Sequence, residues 1–341
     1  MRFGIDGIMK HANISIFVPH KGCPNNCSFC NQKAISGQIE PATEKDVITA
    51  VNTAISHKCD PKNTEIAFFG GSFTAIEREQ MLSLLTAAKC LLDTYGFEGI
   101  RVSTRPDFID DEVLSILKKY GVTSIELGAQ SMNDEVLRLN SRGHSAEDVR
   151  KSSALIKKYG FSLGLQMMTG LYGSDFKKDL YTAREIMKLH PDTVRIYPTV
   201  VLKNTYLAEL FGKGEYLPPN AEETAPFAAR LLTEFQNEGI KVIKLGLHSS
   251  ETVESDMVAG AYHPAFRELC EGYIFLNKIE EKLKNKDKNR EYSVFVSKKS
   301  LSKAKGLNKR NEKALKNQGY YCKIKGKEFL DGFEIEVEEA L

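Results

Sequence analysis

The chain reads as an α/β protein, a partial (β/α)6 barrel of the TIM type followed by a small α+β module. Three observations predict this. Between Ile14 and about Leu245, short β-like apolar runs alternate with amphipathic helical stretches, the pattern of a parallel sheet wrapped by helices. Glycines and polar residues recur where each apolar run stops, which is where a β/α barrel keeps its functional groups. After residue 285 the composition becomes lysine-rich, so the expected division is 1–285 for the barrel with a C-terminal extension and 286–341 for a basic module.

The first strand, Ile14–Val18, runs into the loop Cys23-Pro24-Asn25-Asn26-Cys27-Ser28-Phe29-Cys30. A helix over Thr43–Ser56 follows, with Thr43 and Asp46 spaced as a capping box. Strand Glu65–Phe69 stops at Gly70-Gly71-Ser72-Phe73, and helix Arg78–Tyr95 comes next. Strand Ile100–Thr104 ends in Ser103-Thr104-Arg105 before helix Asp110–Tyr120. Strand Ser124–Gly128 brings Glu126, Gly128 and Gln130, and strand Ser162–Met168 carries Gln166. In Asp175–Leu189, Leu180, Ala183, Ile186 and Met187 make an apolar stripe at helical spacing. Strand Val194–Pro198 places Arg195 and Tyr197, and Lys241–Leu245 reads as a seventh strand.

The cysteine loop is the strongest chemical signal. Three thiolates on one short loop are one fewer than the usual four ligands of an iron–sulfur cluster, which leaves one iron open to an exogenous ligand. The alternative is a structural Cys₃His zinc site completed by His20. Phe29 offers its flat face to a planar ring, or closes the loop as a core plug. Gly70 and Gly71, without Cβ atoms, let the backbone come close to a ligand.

The CxxxCxxC loop with Phe29 before its third cysteine resembles the signature of the radical S-adenosylmethionine (SAM) superfamily. That resemblance implies a [4Fe-4S] cluster on Cys23, Cys27 and Cys30, with SAM chelating the fourth iron. Reductive cleavage to a 5′-deoxyadenosyl radical would follow, fed by an electron donor such as flavodoxin or ferredoxin. It further implies SAM contacts from Phe29, Gly70, Gly71 and Ser72. Gln130 and Arg142 are spaced as in the oxygen-independent coproporphyrinogen oxidases, which this region resembles. Where those enzymes have a glutamate near the ribose, this chain has Ser103, a departure that either removes that contact or shifts it to Ser103 and Gln166. Read singly, Gln130 and Arg142 are equally ordinary surface residues. The stretches STRPDFI, ELGAQS, LNSRGH and GAYHPAFREL resemble the Elongator catalytic subunit, without its acetyltransferase domain. This resemblance implies RNA, and tRNA in particular, as the substrate class.

Hydrophobic content of 42% and charged content of 27% are ordinary for a soluble globular protein. No apolar run is long enough to span a membrane and no secretory signal is visible. Seven cysteines, an odd number, argue against a disulfide framework and for the cytoplasm. Cys59, Cys90, Cys270 and Cys322 read as small buried hydrophobes. Residues 284–327 hold 15 Lys/Arg and 3 Asp/Glu, a difference of +12 inside a chain of net charge +2. This charge suits a phosphate-rich partner or a solvated tail. Tyr292–Val296, Lys299–Lys305, the turn Gly306-Leu307-Asn308-Lys309, a second helix and strands near Tyr320–Lys325 and Phe333–Val337 resemble a KH motif with its GxxG loop. On that reading Gly306, Lys309 and Arg310 face nucleic acid; a structural α/β cap accounts for the same elements. The remaining alternatives are a radical SAM enzyme acting on a porphyrin or other small molecule, and a zinc-stabilised RNA-binding protein without catalysis.

Overall fold

The computed structural model describes residues 11–18, 23, 26–31 and 40–340. Seven strands form one parallel sheet in chain order. They are β1 (Ala12–Val18), β2 (Thr64–Gly70), β3 (Gly99–Thr104), β4 (Val122–Gln130), β5 (Ser162–Thr169), β6 (Thr193–Pro198) and β8 (Lys241–Leu245). The short β7 (Val200–Leu202) pairs instead with β9 (Met257–Gly260). Because β1 and β8 are the two edges of the sheet, the barrel is partial. Helices cover the outer face, so strand residues such as Ile66, Ala67 and Phe68 are fully buried, as parallel strands require.

Local chemistry explains the helix boundaries. The helix Glu44–Ser56 starts where the Asp46 carboxylate accepts from the Thr43 N–H at 2.8 Å and from its hydroxyl at 2.6 Å. Those bonds hold the Asp46 carboxyl below its ordinary pKa. The helix Arg78–Tyr95 stops at Gly96, whose φ of +69° an L side chain disfavours. Cys90, on that helix, is exposed rather than buried, because its position falls off the apolar stripe; Cys270 is buried and Cys59 and Cys322 are half-buried.

The helix Phe266–Leu283 serves two cores. Phe266, Leu269, Cys270 and Ile274 pack against the barrel, while Phe275, Leu276, Ile279 and Leu283 pack under the C-terminal strands. There β10 (Glu291–Ser297) lies between a parallel β11 (Tyr321–Lys327) and an antiparallel β12 (Ile335–Glu339). Two short helices, Leu301–Lys305 and Arg310–Asn317, cross between β10 and β11.

Two expectations for this region need correction. The turn Gly306-Leu307-Asn308-Lys309 ends in lysine where a GxxG loop has its second glycine, and Asn308 and Lys309 both adopt left-handed φ, 52° and 58°. The charge is also smaller than +12 suggests: residues 328–341 add six acidic side chains and no basic ones, lowering 284–341 to +6. The fold brings several of these acids to basic side chains, as in Lys298–Glu328 (2.5 Å), Lys327–Glu336 and Arg290–Glu339. Lys305, Lys309, Lys313 and Lys316, on the helical side, are among the cations with no carboxylate partner among the described residues.

Candidate active site

A cavity of about 580 Å³ opens at the C-terminal ends of the sheet strands. Cys23, Cys27 and Cys30 border it, so the folded chain brings the whole cysteine motif to one space. His20 lies outside the described residues. Among the described residues, no three His, Cys, Asp or Glu side chains converge to hold a single metal ion. A cubane does not ask for such convergence, because each thiolate binds a different iron corner.

The loop is fixed through Ser28. Its N–H donates to the Asn140 carbonyl at 3.2 Å, and its carbonyl accepts from the Leu207 N–H at 2.9 Å. Its hydroxyl donates to Asn140 Oδ1 at 2.6 Å. Asn140 is fully buried, and its Nδ2 donates to the Val136 and Tyr172 carbonyls at 2.8 and 2.9 Å. Two residues on, Arg142 directs Nη1 to Cys27 Sγ at 3.2 Å and Nη2 to the Gly128 carbonyl at 2.6 Å. Arg105, paired with Asp107, donates to the Arg142 carbonyl at 2.6 Å. Two guanidinium groups therefore stand beside the thiols. Burial raises the Cys23 thiol, and nearby Cys27 adds to this, while Arg105, Arg142 and the Ser72 backbone N–H pull it back down.

The candidate SAM residues gather around the same space. Phe29, Gly70, Gly71, Ser103, Gln130 and Gln166 all line it. Gly70 has φ +110°, and a Cβ there would sit 3.0 Å from the Val18 carbonyl, so only glycine lets this strand end approach so closely. Gln130 has φ +63° and sits at a bulge in the β4–β5 register, an unusual conformation that aims its side chain into the cavity. Ser103 Oγ, Gln130 Oε1 and Arg105 Nη1 are buried without a hydrogen-bond partner among the described residues. Such atoms are costly unless a ligand satisfies them. Three thiols, a close backbone cradle and orphaned polar atoms together fit an iron–sulfur cluster with a polar, nucleoside-bearing ligand.

Two expected residues differ in detail. The Ser72 hydroxyl lies outside the cavity wall, bonded to Thr104 Oγ1 at 2.8 Å and accepting from the Arg105 N–H at 3.2 Å. Phe29 packs on the Leu207–Tyr216 cluster, the contact of a core plug, and it also lines the cavity, 6.0 Å from the Arg142 guanidinium.

Below the cavity the barrel interior is ionic. Glu126 receives Arg195 at 2.6 and 2.9 Å, Arg101 at 3.1 Å and the Gln166 amide at 3.0 Å. Arg101 also donates to Glu65 at 2.6 Å. The sequence shows each of these residues but not the network, which arises only when strand register stacks them on one face.

Gly306 and Arg310 lie near the barrel rather than around an open groove. Arg310 stacks on Tyr273, 4.3 Å from the ring centre, and pairs with Glu222. Asn311 is buried and ties the turn to the Gly272 carbonyl at 2.8 Å. Lys309 stays exposed, in line with Lys313 and Lys316 along one helix face.

Comparison with known proteins agrees with this geometry. The family model described as "Radical SAM superfamily" matches residues 17–184, and that of the "Radical_SAM C-terminal domain" matches 191–283. The chain is 32% identical over 160 residues to a tRNA uridine(34) acetyltransferase of Methanocaldococcus jannaschii, spanning 46% of this chain and 28% of that protein. It is 30% identical over 174 residues to Elongator complex protein 3 of Homo sapiens, spanning 50% and 30% respectively. The chain thus spans less than a third of either relative. The solved structure of Methanocaldococcus infernus Elp3 with an N-terminal deletion superposes at a TM-score of 0.63 and 22% identity, over 83% of this chain and 66% of that one, a likeness of fold.

Proposed function

We propose that this chain, which belongs to the radical SAM superfamily, is a SAM-dependent radical enzyme acting on RNA of the tRNA class. One observation carries the catalytic half: the three cysteines, Arg142 and the orphaned strand-end groups border a single cavity. Cys23, Cys27 and Cys30 would hold a [4Fe-4S] cluster. When bound and reduced, that cluster cleaves SAM and supplies a 5′-deoxyadenosyl radical for hydrogen abstraction.

The chain's own residues bind, orient and shield. Arg142, already gripping Cys27 Sγ and the Gly128 carbonyl, offers cationic charge to a ligand carboxylate next to the cluster loop. Gly70 and Gly71 present backbone groups to an amine. Gln130, Ser103 and Gln166 offer polar atoms to a ribose. Phe29 narrows the cavity against water.

RNA is supported by the names of the relatives and by the exposed row Lys309, Lys313 and Lys316, whose phosphate attraction would weaken with salt. No described helix is long and apolar enough to cross a membrane. The reductant would be a small carrier such as flavodoxin or ferredoxin.

Anaerobic reconstitution tests the catalytic half. The expected result is about four irons per chain, a chromophore bleached by dithionite and release of 5′-deoxyadenosine, all lost in Cys27→Ala. A colourless chain inert to SAM refutes it. Mass spectrometry of cellular tRNA nucleosides with and without the gene tests the substrate; an unchanged nucleoside profile refutes it.

A further inference from the structure

The wall of the cavity on the last strand holds a cation that SAM binding does not call for. β6 and β8 run parallel with Arg195 directly opposite Lys244, and both side chains line the cavity. Neighbouring cations on one sheet face repel. Arg195 is neutralised, since Glu126 takes it in a bidentate pair at 2.6 and 2.9 Å. Glu126 cannot serve Lys244 as well: its two oxygens are already shared by Arg195, Arg101 and Gln166. Glu65, the other interior carboxylate, is occupied by Arg101 and Ser124. Lys244 has no carboxylate or hydrogen-bond partner among the described residues. The charged groups acting on it, Arg195 and Arg267, are both positive; with burial as the larger cause, they lower its pKa.

We propose that Lys244 anchors an anionic oxygen group of the substrate, at the wall of the cavity opposite the cysteine loop. This rests on the radical SAM reading for what lies at the other side. β1, which carries the cysteine loop, and β8, which carries Lys244, are the two edges of the sheet, so a substrate would lie across the opening between them. The missing counter-charge fits a phosphate or a carboxylate, and a lysine offers either a point charge. A nucleotide of an RNA strand supplies the first and a small acid the second.

The experiment is trace reductive methylation of the full chain, reconstituted with its cluster under anaerobic conditions and read by peptide mass spectrometry. Lys213, an exposed lysine, is the internal control. An anion on Lys244 shields the amine and raises its pKa, and each unit of rise lowers the reactive free-amine share about tenfold. Probes are SAM alone, and then SAM with millimolar uridine, uridine 5′-monophosphate or acetate. Protection of Lys244 by the monophosphate but not by uridine or acetate supports the proposal with phosphate as the group; protection by acetate supports it with carboxylate. No protection by either anion, or equal protection by SAM alone, overturns it. Iron content of the same sample is measured separately, so a failed cluster is not mistaken for a failed anion site.

Discussion

Replacing Asn140 by alanine should loosen the cysteine loop from a position that touches no ligand. The side chain has no solvent exposure and makes three bonds, accepting from Ser28 Oγ and donating to the Val136 and Tyr172 carbonyls. The Val136 carbonyl keeps the Asn140 N–H at 3.1 Å. Two groups are then stranded, the buried Ser28 hydroxyl and the Tyr172 carbonyl. At about 1–3 kcal/mol for an unsatisfied buried group, and less for the half-buried Tyr172 carbonyl, the loss is about 2–4 kcal/mol. Ser28→Ala strands only Asn140 Oδ1 and should cost about 1–3 kcal/mol. The double variant should cost less than the two added, with a coupling of about 1 kcal/mol. Anaerobic urea unfolding of the metal-free chains measures these values, and the rate of iron loss to a chelator reads the loop itself. If Asn140→Ala unfolds within about 0.5 kcal/mol of the parent, as an ordinary surface change does, and releases iron no faster, the anchoring argument is wrong.

Arg142→Lys keeps the charge but cannot span Cys27 Sγ and the Gly128 carbonyl together; SAM affinity should fall about tenfold or more by equilibrium dialysis, and an unchanged affinity contradicts its role. His144 is 6% exposed, and burial first, then Arg142, lowers its pKa from 6.5 to about 4. The folded state therefore keeps it neutral while the unfolded chain takes up a proton, so stability should decline as pH falls from 6.5 to about 4. The decline attributable to this residue is about 3 kcal/mol; His144→Gln should flatten that limb of an unfolding-versus-pH curve, and an unaltered limb excludes the cause. Arg310→Ala removes the stack on Tyr273 and the pair with Glu222, and should cost about 0.5–2 kcal/mol with faster amide exchange at the Gly306 turn; unchanged exchange there argues against docking.

Much of the barrel was legible because its signals are local. Arg78–Tyr95 and Lys241–Leu245 match their expected bounds, since apolar period and end residues sit within each segment. The cysteine loop, Gly70 and Gln130 announced themselves by spacing and residue type. Asn140 did not, because its partner Ser28 lies 112 residues away and an asparagine before Ser141-Arg142 looks like a turn residue. The Glu126 network was hidden for the same reason: charged residues in strands read as strand ends until register shows that they face one another. The basic tail was overread because its compensating acids follow in residues 328–341, three of them on β12, which lies beside β10 only after the chain doubles back.

The helix Phe266–Leu283 has a bearing on how this protein can be taken apart. A cut after Leu283 looks natural in the sequence, yet it would uncover Phe275, Leu276, Ile279 and Leu283 at once, leaving a greasy strip on the truncated barrel. Clumping of such a fragment would say nothing about RNA. Dissection of the tail should proceed by surface lysine substitutions that spare the shared helix.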